Sequence, residues 1–352
     1  MHIIKPYYLG ETTMKTHHKF KKLFIALTVT SVAAILSVSL TACDKPSIQQ
    51  STTNALSDTY QYGDYAYDLL KTFNSAFSKR QAGTNSEKMA AQYIENQLDS
   101  FGYDAIQENF TYTTSKGDKN SQNVVATKKA KTDNAKDIII GAHYDSVTAG
   151  TGADDNASGV AVMLDCAKYI SQVDADYDVI FIAFGAEEVG LKGSNAYVST
   201  LSEQQISEVE LYVNLDTLAA GDYTYAYGGS DEKSQAVLSE ILSHSQKNSL
   251  GLITQEGKNP EYPKGTTGDW SDHASFKKVG IPFIYFESTN WDIGLMDGSS
   301  EVSLPNGDYE IMHTQFDNLD FIEAMFPGRV KAHMVSYVTS LVNIALGNAF
   351  VA

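Results

Sequence analysis

Three short, mainly apolar runs, each closing on a polar cluster, restrict the fold of this chain more than any other feature: Asp137 to His143, Tyr177 to Phe184 and Val209 to Asp216. Runs that are apolar on both faces suit the central strands of a sheet covered by helices. Between them the spacing predicts helices from about Ala157 to Ile170 and from Ser194 to Thr200. Upstream, Tyr and Leu recur at helical spacing from Tyr60 to Phe73. Asn85 to Phe101 reads as an amphipathic helix (Met89, Tyr93, Ile94, Leu98) ended by Gly102. Residues 107–114 and 122–128 carry strand-like patterns around a turn rich in Lys, Asp and Asn. A helix from Ser230 to Ser243, a strand from Phe283 to Glu287 and a long helix from Ile322 to Leu346 complete the pattern. The expected architecture is an α/β sandwich with a mixed sheet, antiparallel near its first strands. Loops 218–230 and 255–270 show no period that identifies an element.

The N-terminus speaks to location. Lys15, Lys19, Lys21 and Lys22 precede an apolar run from Leu23 to Ala42, which ends in Leu40-Thr41-Ala42-Cys43 and turns polar at Asp44. A basic stretch, an apolar stretch and small residues at the cut describe a secretory signal. A cysteine directly after small residues resembles the bacterial lipoprotein signal, in which that cysteine is lipidated and becomes the first residue. The plainer reading of the run is an uncleaved membrane helix. The expected organisation is a signal peptide over 1–42, lipidation at Cys43, a flexible tether over 43–58 and one domain over 59–352. Such a protein would sit on the extracellular side of the cell membrane, held by its lipid.

Charge and cysteine count then exclude partners. Without residues 1–42 the chain has 310 residues, 21 of them Lys or Arg and 42 Asp or Glu. That surface repels nucleic acid and anionic head groups, so nucleic acid is not an expected partner. With Cys43 lipidated, Cys166 stands alone and no internal disulfide can form, which leaves stability to packing or bound metal. Cys166 ends an apolar stretch from Val160 and reads as a buried small hydrophobe.

Polar clusters sit where the strands or their following loops end: Gly141-Ala142-His143-Tyr144-Asp145, Gly152-Ala153-Asp154-Asp155-Asn156, Gly185-Ala186-Glu187-Glu188 and Asn214-Leu215-Asp216. Met312-His313-Thr314 comes late, before the last helix. In open α/β sheets the functional crevice lies outside the carboxyl ends of the strands, so distant segments can converge there. Each cluster alone has a plain explanation: Asp-Asp-Asn before Ala-Ser-Gly makes a helix N-cap, and Glu-Glu suits a solvated loop. Together they hold much negative charge with no Lys or Arg among them, and a metal is the compensating cation that the chemistry calls for. His143 and Asp145 are two apart at a strand end, so they face one side, and Asp145 can accept the spare ring N–H of a metal-bound His143. Of the adjacent Glu187 and Glu188, which diverge in extended chain, one can bind metal while its neighbour acts as general base toward water.

These motifs, in this order and from about Arg80-Gln81-Ala82-Gly83-Thr84 to the C-terminus, resemble the co-catalytic di-zinc aminopeptidases, whose superfamily also contains glutaminyl cyclases. The resemblance implies a three-layer α/β/α sandwich with a central mixed, mostly parallel sheet, and two zinc ions per chain. It implies His143 and Asp216 on one zinc, Glu188 and His313 on the other, and Asp155 bridging both. By the same resemblance Glu187 is the general base, Asp145 supports His143, and peptides with a free N-terminus are the substrates. Ser271-Asp272-His273 matches a further motif near the cleft, which makes His273 the rival of His313 as a ligand. Two departures stand out: Thr217 follows Asn-Leu-Asp where relatives often carry Met, and Gly268 occupies the position of a carbonyl-polarising Tyr. The oxyanion stabiliser is therefore unassigned, and Trp270, Tyr262 and Tyr285, with Asp272 and His273, are candidates for the substrate pocket.

Rival functions differ in class. A glutaminyl cyclase would need one metal and leave His143 and Asp216 superfluous, whereas a dipeptidase or carboxypeptidase would use the same centre on other substrates. A solute-binding lipoprotein would show two lobes and no such ligand set. A serine hydrolase lacks its Gly-x-Ser-x-Gly elbow here.

Overall fold

The computed structural model describes residues 60–350, so the expected signal peptide, Cys43 and the tether lie outside the described residues. Helices α1 (Asp64–Ala76) and α2 (Asn85–Ser100) precede a hairpin of β1 (Ile106–Thr114) and β2 (Gly117–Lys128). Alternation follows: β3 (Asp137–His143), α3 (Gly159–Ile170), β4 (Asp178–Phe184), α4 (Lys192–Thr200), α5 (Glu203–Glu208) and β5 (Val209–Leu215). Then come β6 (Tyr223–Gly228), α6 (Glu232–Asn248), α7 (His273–Lys278), β7 (Phe283–Thr289), the small hairpin β8 (Val302–Leu304) and β9 (Gly307–Tyr309), α8 (Leu319–Met325) and α9 (Arg329–Ala345).

Seven strands form one sheet in the order β1-β2-β4-β3-β5-β7-β6. The four central strands β4, β3, β5 and β7 run parallel, while β1, β2 and β6 add antiparallel edges. Side-chain alternation explains the two helical layers. Ile138 and Ile140 of β3 pack with α1, α2, α3, α6 and α9, whereas Ile139 joins Phe184, Tyr212 and Tyr285 against Tyr197 of α4 and Phe276 of α7. Tyr212 and Phe276 stack with ring centres 3.7 Å apart. Gly141 leaves room for this aromatic layer, since a Cβ there would lie 2.6 Å from Phe184 Cε2 and 2.7 Å from the Tyr212 hydroxyl. Cys166 is buried in the α3 face of the core, as expected.

Several elements differ from the expectation, each for a local reason. The first helix begins at Asp64 rather than Tyr60. Tyr60 and Tyr62 instead pack on Tyr169, and the Asp165 carboxylate of α3 accepts from the Gly63 and Ala66 amides, capping α1 from outside its own sequence. The Lys/Asp/Asn-rich segment is the start of β2 and not a turn: the chain reverses more tightly, and Thr113 and Thr111 pair with Asp118 and Asn120. The expected long helix from Ile322 is two helices, because Pro327 and Gly328 (φ 81°) break it. Strand β6 falls within the aperiodic loop 218–230: as an edge strand with Tyr on one face and small residues on the other, it lacks a dominant apolar run.

Candidate metal centre

The parallel arrangement of β3, β4 and β5 brings their carboxyl ends to one edge, and every polar cluster lies just beyond it. His143 ends β3 and is buried; its Nε2 lies 3.1 Å from Asp155 Oδ1 and 3.3 Å from Asp216 Oδ1. His313 comes from the segment before α8, with Nε2 3.0 Å from Asp155 Oδ2 and 3.0 Å from Glu188 Oε2. The two oxygens of Asp155 are thus divided between two histidines, each of which also meets a second carboxylate. Five side chains from five separate segments converge on one cleft of about 340 Å³, which Glu187 also lines.

The turn that carries Asp155, from Ala153 to Ser158, is held at both ends. Asp317 accepts from the Asp154 amide at 2.7 Å and the Asp155 amide at 3.3 Å. Asn156 donates to the Leu215 carbonyl beside Asp216, and Ser158 accepts from the Leu218 amide. Asp216 is oriented by the Ser271 hydroxyl at 2.7 Å, itself held by Asn214. Asp145 places Oδ1 3.5 Å from His143 Nδ1, the outer limit of a hydrogen bond, and Nδ1 has no closer partner among the described residues. The same carboxylate accepts from the Glu187 amide at 3.0 Å and the Glu188 amide at 3.2 Å, so Asp145 also positions the Glu-Glu pair. That pair sits in a turn after β4 and not in extended chain: Ala186 has φ 57°, yet both carboxylates reach the cleft. Thr217 (φ 52°) and His313 (φ 59°) share this left-handed backbone, a strain that clusters around functional sites.

Electrostatics reflect the crowding. Burial and then Asp155 push Glu188 up to about 7, with His313 opposing. Burial also drives Glu187 well above the usual carboxylate range, a shift that His143 opposes and Asp272 and Asp216 reinforce. Burial works against a charged His143, but Asp216, Glu187, Asp145 and Asp155 outweigh it and hold the ring well above its ordinary value. Hydrogen bonds to Asp155 and Glu188 raise His313 to about 11. Carboxylates drawn together in this way favour a cation among them.

One cation is in fact nearby, contrary to the expectation that no Lys or Arg accompanies the clusters. Arg80 is wholly buried, and the adjacent carboxylates Asp317, Asp145, Asp155 and Glu188 favour its charge while burial lowers it to about 10. Among the described residues its partners are backbone carbonyls and not carboxylates. Its guanidinium donates to the carbonyls of Tyr144 (2.6 Å), Phe77 (2.9 Å), Thr151 (3.3 Å) and Gly152 (2.8 Å), clamping the loop between His143 and Asp155. Asp317 and Arg80 are parts of the site that no local sequence pattern marks, since the segment from His313 to Asp317 is turn and not helix.

Trp270, Tyr262 and Tyr285 line the cleft, whereas Asp272 and His273 do not. His273 is turned away because its Nε2 donates to the Gly268 carbonyl at 2.8 Å and its ring stacks on Tyr285, so it is not brought to the cluster as a rival of His313. Asp272 is buried behind the wall, where burial raises it to about 7.

The donor set fits zinc. Two atoms bound to one ion at about 2.0–2.1 Å in tetrahedral geometry lie roughly 3.3 Å apart, close to the spacings within each group, and two imidazoles with carboxylates form a familiar zinc set. Fold and site together define a metal-dependent hydrolase of the α/β class. Residues 123–338 match the model of peptidase family M28, more than half of the chain, and the chain belongs to that family. The alkaline phosphatase isozyme conversion protein of Escherichia coli is 28% identical over 297 residues, covering 76% of this chain and 86% of that protein. Aminopeptidase YwaD of Bacillus subtilis is 37% identical over 46% of this chain, and the probable lipoprotein aminopeptidase LpqL of Mycobacterium tuberculosis 34% identical over 46%. These matches span only 34% and 33% of those two relatives. Among solved structures, a zinc aminopeptidase from Bacillus subtilis superposes with a TM-score of 0.63 at 20% identity over 80% of this chain and 95% of its own. A glutaminyl cyclase from an Acidobacteriales bacterium gives 0.64 at 17% identity over 87% of this chain and 100% of its own. At these identities the likeness is one of fold.

Proposed function

We propose that this chain is a zinc-dependent aminopeptidase that holds two ions and removes N-terminal residues from peptides. The observation that supports it most is the division of Asp155 between His143 and His313. In this reading His143 and Asp216 would hold one zinc, Glu188 and His313 the other, and Asp155 would serve both. When bound, the ions polarise the scissile carbonyl and make nucleophilic water available at neutral pH. Glu187, beside them in the cleft and raised by burial, takes the proton from the attacking water and returns it to the leaving amine. Asp145 faces the ring of His143 and holds the amides that aim Glu187 and Glu188.

The names of the sequence relatives support aminopeptidase action, and that of the Mycobacterium tuberculosis relative agrees with anchoring by a lipid on Cys43. No described helix is long and apolar enough to cross a membrane. The fold is shared with a glutaminyl cyclase, but a single-metal cyclase gives no use to His143 and Asp216, both of which stand in the cluster. Aminoacyl nitroanilides beside N-acetylated peptides, each with and without a chelator, test the proposal. Cleavage of free-amine substrates alone, abolished by the chelator, is expected; cleavage of blocked peptides, or cyclisation of N-terminal glutamine in its place, would refute it.

A further inference from the structure

Beyond the ligand cluster, the cleft has a second acidic feature that the mechanism does not use. Glu287, on β7, lines the same cleft and is 4% exposed. Strand alternation puts it on the face of Tyr285, and the antiparallel register sets Tyr227 opposite Tyr285. The Tyr227 and Tyr285 hydroxyls donate to its two oxygens at 2.8 and 3.1 Å. Trp291 Nε1 in turn donates to the Tyr227 hydroxyl at 2.6 Å, so this carboxylate is held rigidly. A carboxylate offers about four acceptor sites, and the two tyrosines occupy one on each oxygen.

The surroundings say what the remaining sites face. Tyr262, Trp270 and Tyr285 form aromatic walls, with Tyr262 edge-on to Trp270 at 5.6 Å. Among the described residues no Lys or Arg lines the cleft, and Asp297 adds a further negative charge at its edge. Burial raises the Glu287 carboxyl to about 8, and an aliphatic side chain beside it leaves its charge uncompensated, whereas a cation favours the ionised form. A guanidinium or ammonium satisfies the carboxylate and stacks on the aromatic faces at once.

Building on the aminopeptidase reading, we propose that Glu287 makes the enzyme selective for peptides whose N-terminal residue carries a basic side chain, arginine or lysine. The side chain of that residue enters between the aromatic walls, while its α-amine and carbonyl stay at the metal cluster. Glu287 thus sets specificity and takes no part in bond cleavage.

The test is kcat/KM of the zinc-loaded full chain, wild type and Glu287→Gln, on the nitroanilides of Arg, Lys, Leu and Ala. The wild type is expected to favour Arg and Lys. Removing one partner of a buried charge pair costs on the order of 30-fold or more, so Glu287→Gln should lower Arg and Lys at least that much more than Leu and Ala, mainly through KM. An equal fall on all four substrates would overturn the proposal and assign Glu287 to the α-amine or to packing. A wild type that prefers Leu would overturn it while leaving aminopeptidase action intact, and a wild type that cuts none of the four would fail the underlying reading instead. Should the variant not fold, product inhibition of the wild type decides: free arginine should bind at least tenfold tighter than free leucine, and equal or weaker binding contradicts the proposal.

Discussion

The adjacent residues Glu187 and Glu188 carry the sharpest consequence of the site. Both line the cleft, and only Glu188 touches His313. Glu188→Gln should therefore shed zinc and stability together with activity. Glu187→Gln should keep its metal and fold yet lose turnover by about 10²–10⁴-fold, the usual yield of a general base; metal analysis beside single-turnover rates separates the two, and the opposite pattern would exchange their roles. Arg80 is the second test at this scale. Arg80→Met leaves four carbonyls without their donor, two of them in buried contacts, and each buried orphan costs about 1–3 kcal/mol, so urea unfolding should show a loss of at least about 2 kcal/mol. Lysine cannot reproduce the planar fork and should recover only part of it. A loss under about 1 kcal/mol would show that the clamp matters little. His143, Asp155, Glu188, Asp216 and His313 were legible because each sits beside a strand end or in a compact polar motif. Arg80 was quoted only as part of a motif, and Asp317 not at all, since nothing local says that a guanidinium or a carboxylate will be folded beneath a loop over 60 residues away.

At the scale of elements, the parallel strands were legible because burial on both faces leaves a continuous apolar run, whereas β6 and the small hairpin β8–β9 carry no such mark. The C-terminal helix was read through its own break, because apolar spacing continues on either side of Pro327 and Gly328. Gly328 has φ 81° and open space where a Cβ would stand, so Gly328→Ala should cost only the backbone penalty, about 1 kcal/mol. His333 on α9 gives a pH test. Burial first, and Arg329 second, lower it to about 3, so it folds neutral. The unfolded chain takes up its proton near pH 6.5, and stability contributed by neutral His333 is lost as pH falls from there toward the folded value. The melting temperature of His333→Leu relative to wild type should therefore rise as pH is lowered from about 7 to 4.5; a difference independent of pH would mean that His333 accepts its proton in place.

For the whole molecule, ions that bind only the native chain add stability by mass action, about 2.7 kcal/mol per site at a hundred times the dissociation constant. Chelation should lower the melting temperature by about 5 °C or more, with full recovery on adding zinc. Cys43→Ala should release the protein from membranes or leave an unprocessed precursor, and an unmodified wild-type Cys43 thiol on a freely soluble protein would contradict anchoring. The central claim is that two ions, shared through Asp155, drive cleavage at a free N-terminus. It is tested most directly by adding zinc stepwise to the chelated protein while following turnover of one peptide and its N-acetylated twin. The account predicts that only the free-amine peptide is cut and that activity reaches its plateau at two zinc per chain. Full activity at one zinc per chain, or equal cleavage of the acetylated peptide, would contradict it.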